Sequence, residues 1–294
     1  MFKTMALIAC ILASQLHGVS NAECPVLAIH GLGMPKAYGE YHKNYVAQQL
    51  GISGKTIVYV DGPVQADADL GQERCQEHFK ESYESIDTRN GYIIHATSQG
   101  TATVLNFLAN NPAAQENLKA IIFEAPMASG NSAIAHYVGI PLVEDFPLVP
   151  YLAKLIHFPC YSPSGMQPIK SIDQLINKNI VMIFAHSTWD RVLPYSGACA
   201  LYYGLKELGH NNVYFITMHG WDHTDVLDGS SVVKSILAKH DLALADASEI
   251  IDVSAYQPDH RGFGYRRAYN VIRFIEGMHT VIGKTGNLCS CREA

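Results

Sequence analysis

Apolar residues along the chain fall into short blocks, separated by longer stretches in which they recur every three or four positions. Val26–His30 reads as a strand that ends at the Gly31-Leu32-Gly33 turn, and Lys36–Leu50 as the helix after it. Thr56–Val60 is short and β-branched, and stops at Asp61-Gly62-Pro63. A polar helix is expected over Gln65–Ile86, a strand over Tyr92–Ala96 and a helix over Thr101–Ala109. Ala120–Glu124, apolar up to its last residue, and Ile180–Ala185, apolar throughout, have the pattern of strands buried on both faces. Tyr195–Leu208 is helical and closed by Gly209, Val213–Met218 is a strand, and Ser230–Lys239 is a helix. Such alternation predicts an α/β architecture with a mostly parallel sheet covered by helices on both faces. Right-handed crossovers then bring the strand C-terminal ends to one edge, where ligands bind.

Two stretches break the alternation. Residues 126–170 are rich in Pro, Gly and apolar side chains, with a helical piece near Leu148–His157, and read as a small lid insertion. Residues 242–294 form a C-terminal extension with a basic, aromatic patch (Arg261, Tyr265, Arg266, Arg267, Tyr269), expected to pack on the core as a helix. At the other end, Lys3, the apolar Ala6–Leu16 and the small residues of Ser20-Asn21-Ala22 have the form of a signal peptide over 1–22, cleaved after Ala22. Leu7-Ile8-Ala9-Cys10 also resembles a bacterial lipoprotein box, but the apolar run before Cys10 is very short and continues past it. A mature domain over 23–294, secreted or periplasmic, is therefore expected.

Composition narrows the function. Of 294 residues, 48% are apolar and 16% charged, a globular balance. The formal net charge is −6 and no block of five basic residues occurs, so nucleic acid is not an expected partner. Beyond the first 22 residues no run is apolar enough to span a bilayer. Removal of Cys10 leaves six cysteines, Cys24, Cys75, Cys160, Cys199, Cys289 and Cys291, an even number that suits disulfides in an oxidising compartment.

The chemistry centres on Ala96-Thr97-Ser98-Gln99-Gly100, a strand, a tight turn and a helix with Ser98 at the apex. Small residues are needed two before and two after that serine, where backbones crowd, and Ala96 and Gly100 supply them, with Ala in place of the usual first Gly. The alternative is an ordinary N-cap serine. A serine nucleophile requires a base and an orienting acid. Asp190 follows the buried strand Ile180–Ala185, and His223 lies in the loop after Val213–Met218. Glu124, at its own strand end, competes for the acid role and His219 for the base. His219 and His223 with Asp222 and Asp225 could alternatively bind a metal, but Gly220 argues for a loop, not the helix that His-x-x-x-His spacing favours, and no metal is assigned. Backbone N–H groups of Leu32 and Gln99 are the expected oxyanion donors.

From about Pro25 to Leu237 the chain resembles the α/β-hydrolase superfamily, on His30-Gly31-Leu32-Gly33, the Ser98 motif, the Asp190 loop with Val192 and Pro194, and His223. Ser98, Asp190 and His223 also follow the superfamily's chain order. The stretch from Asp190 to His223 looks like the C-terminal part of esterases and prolyl-oligopeptidase-like hydrolases. The resemblance implies an α/β-hydrolase fold and a covalent acyl-enzyme without metal or organic cofactor. The expected activity is hydrolysis of a small-molecule or lipid-like carboxylic ester. A peptidase or thioesterase, and a non-catalytic binding protein on this fold, are the alternatives. Lid residues Ile140, Leu142, Phe146, Leu148, Leu152, Ile156 and Phe158 would suit an apolar acyl or alkyl group, or pack on the core. If that fold holds, Cys160 and Cys199 flank the active edge and a Cys160–Cys199 bridge would tether the lid; Cys24–Cys75 and Cys289–Cys291, or links from the tail to the N-terminus, would take the rest.

Overall fold

A computed structural model describes residues 24–32, 38–52, 56–63, 68–137, 159–218, 223 and 231–242. Six strands, β1 (Val26–Ile29), β2 (Ile57–Tyr59), β3 (Tyr92–Thr97), β4 (Leu118–Glu124), β5 (Val181–Ser187) and β6 (Val213–Met218), form one sheet in the order β2-β1-β3-β4-β5-β6. Every pairing among them is parallel. The strand order reverses at β1: the chain steps outward to β2, then returns to place β3 on the other side. In open parallel sheets that reversal leaves a crevice at the carboxyl ends of the two flanking strands. Register fixes what meets there, because Ile29 is opposite Ala96, so Gly31 and Ser98 emerge side by side.

The period-2 alternation of strand side chains divides the core in two. Leu27, Ile29, Ile94, Ile121, Phe123, Met182, Phe184 and Phe215 point to one face. There they pack with residues of the helices α2 (Glu73–Glu84), α3 (Gln99–Asn110) and α6 (Tyr195–Glu207). Val26, Ala28, Ile93, Ala120, Ile122, Val181, Ile183 and Ile216 point to the other, beneath α1 (Gly39–Leu50) and α7 (Ser231–Lys239). The predicted three-layer α/β arrangement is thus present.

The expected polar helix over 65–86 starts later, at Glu73. Leu70 and Gly71 both have positive φ, and the Asp69 carboxylate collects the N–H groups of Gln72, Arg74 and Cys75, which turns the chain into the helix there. Of the expected insertion over 126–170, the two flanks are described. Met127, Ala128, Ile134, Tyr161 and Ile169 are buried, and α4 (Gly130–Tyr137) and α5 (Pro168–Ser171) pack into the domain. Leu148–His157 and the apolar lid residues lie outside the described residues, as do the signal segment and the tail beyond Leu242.

The cysteine pairings are corrected. Cys24, Cys75 and Cys199 are free thiols, so neither Cys160–Cys199 nor Cys24–Cys75 is formed. Cys199 faces the core beside its helix neighbours, and Cys75 accepts a hydrogen bond from Gln99 Nε2 at 2.9 Å, so each side chain is directed into its own packing. Burial raises the Cys75 thiol pKa to about 12, with Asp69 adding to the effect. Cys289 and Cys291 lie outside the described residues.

Helix α3, which carries the turn at Ser98, is anchored by buried Asn106. Its Nδ2 donates to Gly71 O at 2.9 Å, and its Oδ1 accepts from Ser171 Oγ at 2.6 Å. Asn106→Leu removes the side-chain donor to the buried Gly71 carbonyl and leaves Ser171 Oγ only its 3.0 Å bond to Gln167 O. It is expected to cost about 2–3 kcal/mol, read as a lower midpoint in urea unfolding.

Candidate active site

Ser98 sits at the junction of β3 and α3 with φ 54° and ψ −123°. Such a φ is uncommon for a residue with a side chain and costs about 1–3 kcal/mol unless the surroundings enforce it. They do so on three sides. Ser98 N–H donates to Glu124 O at 2.9 Å, and Thr101 donates to Ser98 O from both N–H (3.0 Å) and Oγ1 (2.6 Å). Thr101 Oγ1 in turn accepts from Met127 N–H at 2.8 Å, tying the turn to the segment after β4. Gly100 passes so near the end of β1 that an added methyl would stand 3.0 Å from His30 O and Ile29 O. The predicted demand for a small residue at position 100 is a real contact.

His223 closes on Ser98 from the loop after β6. Its Nε2 is 2.8 Å from Ser98 Oγ, and its Nδ1 is 2.8 Å from Asp190 Oδ2. Asp190 lies three residues past β5, in a loop braced by Trp189 N–H on Ser187 Oγ at 3.0 Å and by His136 Nε2 on Asp190 O at 3.2 Å. Its other carboxylate oxygen accepts the N–H groups of Val192 and Leu193, both at 2.8 Å. Burial pushes the Asp190 carboxyl upward, but the hydrogen bonds from His186 and His223 outweigh it and hold the group well below the usual carboxylate range.

Of the sequence candidates, Ser98, Asp190 and His223 are therefore brought together. Glu124 is not: its carboxylate lies under α1, where Tyr45 OH donates to it at 2.6 Å. His219, Asp222 and Asp225 lie outside the described residues. Leu32 and Gln99 flank the serine. Gln99 is the first residue of α3, so its N–H has no partner within the helix. Gly31 is pressed against Ser98, where an added methyl would stand 2.8 Å from Ser98 Cβ and 3.1 Å from Oγ. Next to it, His30 Nδ1–H donates to Gly31 O at 2.8 Å, and Tyr59 OH donates to His30 Nε2. Burial raises the Tyr59 pKa to about 12, which preserves it as a donor. Because the peptide is planar and trans, holding the Gly31 carbonyl toward His30 holds the Leu32 N–H on the opposite side.

Two further features carried no sequence signal. His186 contacts Asp190 directly, with Nε2 3.1 Å from Oδ2. Beneath α1, His30, His42 and His95 pack ring to ring with Tyr45 and Tyr59. Burial lowers the His42 pKa to about 2, with His95 and His30 contributing, and the His95 pKa to about 4, so both rings are neutral. Among the described residues no group of three or more His, Cys, Asp or Glu side chains is arranged to hold a metal ion.

A strand-to-helix serine elbow, with acid and base following in that order on later strand ends of a parallel sheet, is the arrangement of the α/β-hydrolase fold. Similar solved structures include an acylaminoacyl peptidase of Pyrococcus horikoshii, at 15% identity and TM-score 0.48, over 83% of this chain and 39% of that one. This chain thus spans well under half of that peptidase. A monoacylglycerol lipase of Paleococcus ferrophilus is similar at 14% identity and TM-score 0.44, over 75% of this chain and 95% of the lipase. A Pyrococcus furiosus esterase shares 11% identity at TM-score 0.49, over 69% of this chain and 75% of the esterase. No family model matches the sequence, and no curated protein matches it.

The site yields two predictions. Gly31→Ala forces Ser98 or its own loop to move, and a displacement near 1 Å costs about 100-fold in a positioned reaction; turnover is expected to fall by about that factor with little change in melting temperature. The second concerns acid stability. The folded-state pKa of Asp190 is depressed, so its ionised form contributes stability that is present above about pH 4 and lost as pH falls through the lower folded-state value. Urea unfolding at a series of pH values is expected to show a shallower loss below about pH 4 for Asp190→Asn than for the parent.

Proposed function

We propose that the protein is a serine hydrolase acting on carboxylic esters, with Ser98 as nucleophile, His223 as general base and Asp190 as the orienting acid. The observation that carries this reading is the unbroken contact chain from Ser98 Oγ to His223 Nε2, and from His223 Nδ1 to Asp190 Oδ2, each link 2.8 Å.

In the first half-reaction Ser98 Oγ attacks the ester carbonyl carbon while its proton passes to His223 Nε2. The negative charge that develops on the carbonyl oxygen is met by the N–H groups of Leu32 and Gln99. Removing one such donor typically costs about 3–4 kcal/mol of transition-state stabilisation. Collapse breaks the carbon–oxygen bond, and the leaving alcohol takes the proton from His223. Water then attacks the acyl-enzyme, gives its proton to His223, and the acid departs as Ser98 regains its hydrogen. The Tyr59–His30 pair supports the donor geometry by fixing the Gly31 carbonyl. The route uses no metal or organic cofactor.

Export is part of the proposal, and it rests on the N-terminal segment alone, since Cys24, Cys75 and Cys199 are free. Among the described residues no helix is long and apolar enough to cross a membrane.

A fluorophosphonate probe followed by peptide mapping tests the reading. Label on Ser98 is expected, with labelling and ester hydrolysis both lost in His223→Ala by at least about 10⁴-fold. Amide and thioester analogues assayed alongside separate ester preference from peptidase or thioesterase activity. Label on another residue, or none on folded protein, would overturn the proposal.

A further inference from the structure

The Asp190 carboxylate is held by two histidines, one of which the proposed mechanism does not use. His186 is the penultimate residue of β5, and its side chain is fully buried. Its Nε2 lies 3.1 Å from Asp190 Oδ2 and 3.3 Å from Leu193 O. Both neighbours are acceptors, so Nε2 carries a proton. Nδ1 is buried without a hydrogen-bond partner among the described residues, and a proton there would be a desolvated, unpaired donor. His186 is thus a single-proton donor aimed at the same carboxylate oxygen that His223 uses. Tyr195 of α6 stands edge-on to its ring, with centroids 5.8 Å apart, and directs its own hydroxyl to Thr217 Oγ1. His136 of α4 reaches the backbone carbonyl of Asp190, not its carboxylate. Among the described residues, the titratable groups around this pair are therefore Asp190, His223, Tyr195 and His136.

We propose that His186 is a positioning residue for the active site: it fixes the plane of the Asp190 carboxylate from the sheet side and shares Oδ2 with His223, which moderates the pull of Asp190 on the His223 ring. The inference rests on the roles proposed above for Ser98, His223 and Asp190. It follows from the donor count. Val192 and Leu193 hold Oδ1, so among the described residues only His186 fixes Oδ2 independently of His223. A carboxylate oxygen that already accepts one hydrogen bond carries less charge for a second donor. Without His186, Oδ2 would bind a protonated His223 more strongly, and the base would need a higher pH to become free.

The test uses the full chain with p-nitrophenyl butyrate as substrate. His186→Phe keeps the ring volume and removes the donor, and His186→Gln restores an N–H near the Nε2 position. In the Phe variant the acid limb of kcat/KM is expected to move up by about one pH unit, with kcat at the plateau down about fivefold to tenfold. The Gln variant is expected to return both toward the parent. Should the Phe variant fail to fold, His186→Met serves as the donor-free variant. A readout apart from turnover is the low-field proton resonance of His223 Nδ1–H, assigned by its loss in His223→Ala. It is expected to move further downfield in the donor-free variant and to sit near the parent position in Gln.

An unchanged limb and resonance overturn the inference while leaving the hydrolase reading intact. Lost activity with an unshifted limb and no rescue by Gln reduces His186 to packing and overturns it too. A protein inactive on every ester, whose resonance still moves as described, supports the shared carboxylate and removes the hydrolase reading instead.

Discussion

The approach of two backbones at the point where the sheet reverses its strand order constrains everything else in the site. Gly31 leaves β1 and Ser98 leaves β3 as neighbours, so close that a methyl on Gly31 would stand 2.8 Å from Ser98 Cβ. Gly100 brings α3 equally near to the carbonyls that end β1. With both sides pinched, the chain turns from strand to helix in one residue, and Ser98 takes the φ of 54°. The strain is local, but its restraints come from elsewhere: the Glu124 carbonyl on β4, the Thr101 hydroxyl one turn into the helix, and Met127 beyond β4. The serine is aimed by the fold, and the loops that carry Asp190 and His223 need only reach it.

What the sequence reveals follows from how local each feature is. The elbow is legible because its causes lie within five residues: an apolar strand, small neighbours at 96 and 100, and a helical run after them. Asp190 and His223 are legible as positions, each just beyond an apolar strand, although the contact between them joins two loops 33 residues apart. The start of α2 at Glu73 was hidden because the Asp69 carboxylate and two positive-φ residues fix it, and neither leaves a periodic trace. The fate of Cys75 and Cys199 is illegible for a related reason. An even cysteine count carries no direction, and the direction of Cys199 into the core and of Cys75 toward Gln99 decides the matter. His186 was invisible because β5 runs two residues past Ala185, which brings a polar side chain into a stretch that reads as the strand's end.

Two carboxylates at neighbouring strand ends show why position along the chain alone does not assign a role. Glu124 is the last residue of β4, and strand alternation turns it to the face covered by α1, where Tyr45 occupies it. Asp190 has left its strand and is free of that alternation. Its loop folds over the edge, presenting one oxygen to Val192 and Leu193 and the other to the histidines.

The histidines make the same point more sharply. Three pairs of imidazole and carboxylate lie close together: His95 with Glu124 at 3.6 Å, His186 with Asp190 at 3.1 Å and His223 with Asp190 at 2.8 Å. At His95 neither ring nitrogen has a hydrogen-bond partner among the described residues, and burial keeps the ring neutral. At His186 one nitrogen is anchored and the other faces no partner among the described residues, so the ring can hold a proton but has nowhere to send it. At His223 one nitrogen is anchored and the other faces Ser98, with the ring partly exposed. Moving a proton to and from a nucleophile requires both an anchor that fixes the tautomer and a second nitrogen within reach of the reacting atom. Proximity to a carboxylate meets only the first requirement, and among these three rings His223 is the one whose surroundings meet both.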